Sequence, residues 1–174
     1  VKVTRSPIAV ISDITIDADI DMNSHGFTEL GDMTPVKNTG LKLLAALGVD
    51  GDWSGSVVEA VAGEDVDAGE NIYLKSDGKC WLSQANSANT MPIKGICTAD
   101  VLADATGVLL IEGFIRKDAW NWTIGQVIYA SDVTAGDLIA TVPDTSGDQV
   151  QPVGIAVSAD SIFFSPDLTM LEIT

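Results

Sequence analysis

Basic residues are scarce in this chain. Nine Lys and Arg stand against 25 Asp and Glu, a net charge of −16 over 174 residues. No basic surface exists to neutralise phosphates, which excludes nucleic acid as a partner. Docking on an anionic membrane is excluded on the same ground. Histidine occurs once, as His25, and cysteine twice, as Cys80 and Cys97. One imidazole and two separated thiols supply no zinc-ligand spacing, no CxxC pair and no disulfide framework. The two cysteines fall in β-rich runs and are expected as buried free thiols. No apolar run approaches the roughly 20 residues of a membrane span, and no basic-then-apolar leader is visible, so no secretory signal is expected. Neither a G-x-x-x-x-G-K loop nor a Rossmann glycine run is present, and no cofactor is expected. Glutamate is also sparse, at 6 residues against 19 Asp. A helical protein would favour Glu, whereas Asp belongs in turns, where its carboxylate bonds the backbone two residues on.

What the chain does have is apolar residues, 46% of the total, enough at this length for a packed core. Along residues 14–22 they alternate. Ile14, Ile16, Ala18, Ile20 and Met22 share one face, and Thr15, Asp17, Asp19 and Asp21 share the other. Period two over nine residues predicts a half-buried strand. Asp17, Asp19 and Asp21 also match the start of a calcium loop, but Met22 and Thr28 stand where that loop requires Gly and Glu. The carboxylates are therefore read as a strand face, with a cation shared between neighbouring copies left open. Residues 39–48, rich in Leu and Ala and closed by Gly48, are the one expected short helix.

From Trp53 onward, β-rich runs alternate with Gly, Asp and Ser turns. They cover 56–62, 70–75, 79–83, 92–98, 107–116, 126–130, 137–142, 150–158 and 161–165. This rhythm predicts an all-β fold, a compact barrel or sandwich. The expected organisation is a 1–50 oligomerisation or docking segment followed by a 51–174 β domain. The second part repeats itself. Gly69-Glu-Asn-Ile72-Tyr73 is answered by Gly125-Gln-Val-Ile128-Tyr129, and Pro92-Ile-Lys-Gly95-Ile96 by Pro152-Val-Gly154-Ile155. Two related modules, about 57–116 and 120–174, are expected to share one core.

Catalytic signatures are weak. His25 sits in a turn beside Ser24, and a triad draws its members from separate parts of a fold. With 25 acids, some carboxylate pair always meets a glycosidase separation, so the count diagnoses nothing. No enzymatic activity is expected. Trp120-Asn121-Trp122 places two indoles on one face of a strand or turn, suited to core packing or to stacking on a sugar. The acid excess adds self-repulsion that salt relieves, which suggests a marine or halophilic setting.

Several stretches resemble structural proteins of tailed viruses. Residues 57–115 resemble the small β-barrel of capsid decoration, or cement, proteins. The resemblance is carried by Val61-Ala-Gly63-Glu-Asp65-Val-Asp-Ala-Gly69-Glu-Asn-Ile72-Tyr73-Leu, Asp77-Gly78-Lys79 and Pro92-Ile-Lys-Gly95-Ile96. Residues 124–172, with Ile-Gly-Gln-Val-Ile-Tyr-Ala-Ser, Thr145-Ser-Gly-Asp148 and Phe163-Phe-Ser-Pro-Asp167, are similar to end modules of tail-fibre chains. Residues 16–30 resemble the strand-turn-strand repeats of fibre shafts. The resemblance implies a non-enzymatic virion component, most often a homotrimer. Its partners would be copies of itself and the major capsid protein or tail proteins. A decoration protein that stabilises the shell is the leading expectation. A tail fibre or spike binding a host surface glycan through Trp120 and Trp122 is the alternative. An isolated strand-turn-strand cannot bury its own apolar face, so Ile14, Ile16, Ile20, Met22 and Phe27 are the expected oligomer or docking interface.

Overall fold

A computed structural model describes residues 43–174. The strands are β1 Trp53–Val61, β2 Asn71–Leu74, β3 Cys80–Leu82, β4 Ile93–Cys97, β5 Thr106–Arg116, β6 Val127–Ala130, β7 Leu138–Ile139, β8 Gln149–Val150, β9 Pro152–Ala156, β10 Ser161–Phe164 and β11 Leu171–Glu172. Among the described residues the only helical element is a 3-10 turn at Ala88–Thr90. Nine strands form one antiparallel sheet in the order β3-β2-β4-β5-β10-β9-β6-β7, with β1 also on β5, while β8 and β11 pair separately. The all-β expectation holds, and the barrel takes the form of a curled, open sheet.

β5 is the pivot. One of its edges carries β1 from Trp53 to Val61. The other edge is divided: Leu109 and Leu110 pair with β4, and Gly113–Arg116 pair with β10. The bend between the two halves needs glycine. Gly113 has φ +149° and faces Gly55 across the ladder. A Cβ on Gly113 would lie 2.3 Å from the Ser54 carbonyl oxygen, and one on Gly55 2.1 Å from that of Glu112. The β1 register also slips between Ser56 and Val57. Such bulges sharpen local twist and let a sheet curl.

The internal repetition reappears as equivalent pairing. In the first half Asn71 pairs with Ile96 and Ile72 with Gly95, and the register shifts between Ile72 and Tyr73. In the second half Val127 pairs with Ile155 and Ile128 with Gly154, and the register shifts between Ile128 and Tyr129. Each isoleucine thus lies opposite a glycine, which leaves space for the larger side chain. Ile96 and Cys97 then pair with Leu110 and Leu109, as Ile155 and Ala156 pair with Phe163 and Ile162.

Two cores result. The larger gathers Ile93, Ile96, Leu110, Ile115, Ile128, Val153, Ile162 and Phe164. The smaller gathers Ala62, Val66, Ile72, Cys80, Cys97 and Leu109. The β4–β5 pair is a wall between them, because Ile96 and Leu110 point into the larger and Cys97 and Leu109 into the smaller. Each fully buried aliphatic side chain contributes roughly 1.5–3 kcal/mol. Two buried amides join the halves. Asn71 Nδ2 donates to the carbonyls of Gly136 and Asp137, both at 2.8 Å, and Ser83 Oγ donates to Asn71 Oδ1. Gln151 Oε1 accepts from Ile93 N–H at 2.8 Å.

Two sequence expectations are corrected. Within the expected helix 39–48, residues 43–48 are not helical, and 39–42 lie outside the described residues. Leu44 N–H is held by Ser54 Oγ, and the Gly48 and Val49 N–H groups by Asp52 Oδ2. A two-turn helix needs packing to persist, yet Leu44 is 62% exposed. The expected strand 150–158 is divided. Gln149–Val150 pairs with β11, and the paired run of β9 opens at Pro152. Gln151 between them turns inward to bond Ile93.

Candidate functional site

The equivalence of the two halves leaves one surface unmatched. In the first half the row Asn71–Ile96–Leu110 crosses the sheet, and its hydrophobic members, like Asn71, are 0% exposed. The β6–β7 turn covers Asn71, and the larger core covers Ile96 and Leu110. In the second half the equivalent row is Val127–Ile155–Phe163, which continues through Phe114 to Ser54 of β1. Here Val127 is 41% and Ile155 42% exposed. Phe163 and Phe114 are half-buried, their ring centroids 4.9 Å apart. A face that is interior in one half is therefore an open apolar strip in the other. Clustered exposed apolar side chains mark interaction surfaces, where scattered ones do not.

β1 borders this strip. Among the described residues its only strand partner is β5. It contains neither Lys nor Pro, the residues that commonly blunt a free strand edge. Val57, Val58 and Val61 are all exposed. On the opposite face Val58, Ala60, Leu74 and Ile111 line an apolar groove of about 330 Å³, with Lys94 at its margin. The groove runs along the smaller core, where Cys80 and Cys97 are buried and free. Burial pushes both thiols above the ordinary cysteine range, and Cys97 Sγ donates to the Ala99 carbonyl at 3.0 Å. This is the chemistry of packed, inert thiols.

Trp120 and Trp122 lie in the connection between β5 and β6, a loop rather than a strand. Trp120 N–H donates to the Lys117 carbonyl and Trp122 N–H to that of Ala159. The structure brings the two indoles together, with ring centroids 5.8 Å apart at 48°, and packs both on the larger core. Trp122 Nε1 is buried without a hydrogen-bond partner. Beside them opens a polar cleft of about 330 Å³ lined also by Gly69, Lys117, Asn121 and Asp137. Sequence reading missed Lys117 and Asp137, because the first follows β5 and the second belongs to the β6–β7 turn. A second cleft, about 280 Å³, of mixed polar and apolar lining, is bordered by Asp50, Asp67, Asp100 and Arg116. Its guanidinium is occupied by Asp118 at 2.6 Å, Asp160 at 3.4 Å and the Leu47 carbonyl at 3.1 Å.

Ile14, Ile16, Ile20, Met22 and Phe27, with Asp17, Asp19, Asp21 and His25, lie outside the described residues. Among the described residues no His, Cys, Asp and Glu side chains gather into a metal-binding group, and no helix is long and apolar enough to cross a membrane. No family model matches the chain, and no curated protein matches it.

Proposed function

We propose that this protein is a non-catalytic structural component that associates with copies of itself and with a larger particle. On the resemblance to decoration proteins, that particle is a virion and the protein a trimeric cement on its capsid. The observation that supports this reading is the Val127–Ile155–Phe163–Phe114 strip, open in one half where its equivalent is interior in the other. An apolar strip on a rigid sheet, bordered by the nine-residue edge of β1, suits contact with a protein surface. Burying it on a neighbour removes apolar area from water at roughly 25 cal/mol per Å². A decorator that binds the assembled shell and not its separate parts stabilises the shell by mass action.

The test uses the full chain. Light scattering is expected to give the mass of three copies, and the Val127→Glu/Ile155→Glu variant the mass of one, with the circular dichroism spectrum unchanged. Both side chains are already half in solvent, so the fold tolerates the charges. A parent chain that runs as a single copy, or a variant that stays associated, overturns the assignment of this face. Shells stripped of the protein are expected to burst at lower osmotic stress than coated shells.

A further inference from the structure

The apolar groove over the smaller core has no part in the docking strip. Ile72, Cys80 and Leu109 are buried and form its floor, while Val58, Leu74 and Ile111 are exposed and form its walls. With Lys94 of β4, the lining draws on five strands, β1 to β5. The groove therefore lies on a sheet face and not along a strand edge. Beneath the floor the core leaves only about 10 Å³, no more than a single water needs. A ligand here lies in the groove and does not enter the core.

Its charge runs against that of the chain. The sequence has 25 acids, yet among the described residues none lines the groove, and Lys94 is the charged residue that does. Lys79 is paired with Asp104, and Arg116 with Asp118 and Asp160, whereas Lys94 has no ion-pair partner among the described residues. A lysine stem lies well along apolar surface and keeps its ammonium at the water boundary. The groove thus offers hydrocarbon contact along its length and one positive charge at its margin.

We infer that this groove binds an unbranched aliphatic monocarboxylate, a medium-chain fatty acid, with its chain over Ile72 and Leu109 and its carboxylate at Lys94. Small-molecule sites are mostly apolar with a few placed polar groups, and the mouths of β-barrels are a common place for them. An extended peptide fits poorly, because beyond Lys94 its backbone N–H and C=O groups would meet apolar side chains and lose their hydrogen bonds to water. A cationic amphiphile would set its head against the Lys94 ammonium. A ligand with several negative charges would find one ammonium in a chain of net charge −16. At roughly 30 Å³ for each carbon-sized group, the share of one water in the liquid, the groove's volume of about 330 Å³ holds a chain of about ten carbons.

The experiment titrates the full-length protein with sodium decanoate, below its micelle concentration, by calorimetry. The expected result is saturable binding of one decanoate per chain, with shorter carboxylates weaker by about fourfold for each methylene removed. Leu74 and Lys94 are both exposed, so their substitutions test the groove at little risk to the fold. Leu74→Glu is expected to weaken binding by about tenfold or more, and Lys94→Gln by about threefold to fivefold, each at an unchanged melting temperature. If Leu74→Glu unfolds, Lys94→Gln decides. Val127→Glu/Ile155→Glu is expected to bind decanoate normally, so this inference and the docking strip fail independently. Absence of saturable binding overturns the inference, as does parent affinity in Lys94→Gln or in a folded Leu74→Glu, or loss of binding in the strip variant. A changed mass of Leu74→Glu in light scattering also overturns it, because the groove would then be a contact between copies.

Discussion

Glu70 shows how one residue carries opposing demands. Its Oε2 accepts the Asp67 N–H at 2.8 Å and holds the turn before β2. Burial nevertheless raises its pKa above the ordinary value, outweighing that hydrogen bond; the charge of Asp67 pushes the same way, the Lys117 ammonium pulls against it, and Asp137 adds a smaller push upward. A carboxyl whose folded pKa is raised favours its protonated form in the native state. Its ionisation therefore lowers stability as pH rises through the folded pKa. Gln at this position keeps an acceptor and removes the charge. Glu70→Gln is expected to melt above the parent at pH 7, with the advantage gone at about pH 4, where the parent carboxyl is itself largely protonated. Thermal unfolding at the two pH values checks this, and a lower melting point at pH 7 contradicts it. Trp81 shows the opposite case, a surface indole fully engaged. Lys75 Nζ lies 3.9 Å from its ring centroid, its Nε1 donates to Asp77 at 3.1 Å, and Gly63 leaves room for its face.

The repeated unit at the element scale is a hairpin followed by a strand containing Gly-Ile. Gly95 and Gly154 occupy the same register opposite Ile72 and Ile128, but their surroundings differ. A Cβ on Gly154 would lie 2.4 Å from the Phe163 carbonyl oxygen, a backbone atom that cannot yield without breaking the β9–β10 ladder. A Cβ on Gly95 would lie 3.3 Å from Leu109 Cβ and from the Leu110 oxygen, a gap closed by a shift of a few tenths of an ångström. Gly154→Ala is expected to cost about 2–3 kcal/mol and Gly95→Ala about 1 kcal/mol or less. Urea unfolding of the two variants measures both, and equal losses would contradict the difference in packing. The strands themselves were legible from their alternation and turn residues. The division at Gln151 was not, because an amide amid apolar neighbours looks like part of a strand until its partner, Ile93, is known.

For the molecule as a whole, charge is the dominant sequence-wide property. At −16, and with three ion pairs among the described residues, most carboxylates have no cationic partner and repel one another through solvent. Raising salt shortens the range of that repulsion from about 10 Å at 0.1 M to about 3 Å at 1 M. The melting temperature is expected to rise between 0.05 and 1 M NaCl, on the order of 5 °C. A flat or falling curve would remove the basis for a salty working environment. The same charge bears on the proposed assembly. Copies of an acidic chain meet only where apolar contact outweighs repulsion, so the association proposed for the Val127–Ile155 strip is expected to strengthen with salt.

Sequence alone determined what depends on near neighbours along the chain. The all-β class, the placement of most strands, the turns, the repeat and the buried thiols all follow from side-chain alternation and residue conformational preference, which act over a few positions. Tertiary structure decided which faces are covered. Gly95-Ile96 and Gly154-Ile155 are the same dipeptide in equivalent strands, yet Ile96 is 0% exposed and Ile155 42%. Nothing local separates them. Burial is set by what packs across the sheet from elsewhere in the chain, and only the first half has the second half lying over it. The cleft at Trp120 and Trp122 has the same origin, since Gly69, Lys117 and Asp137 come from separate stretches that meet only in the folded sheet, where the β6–β7 turn is held by Asn71.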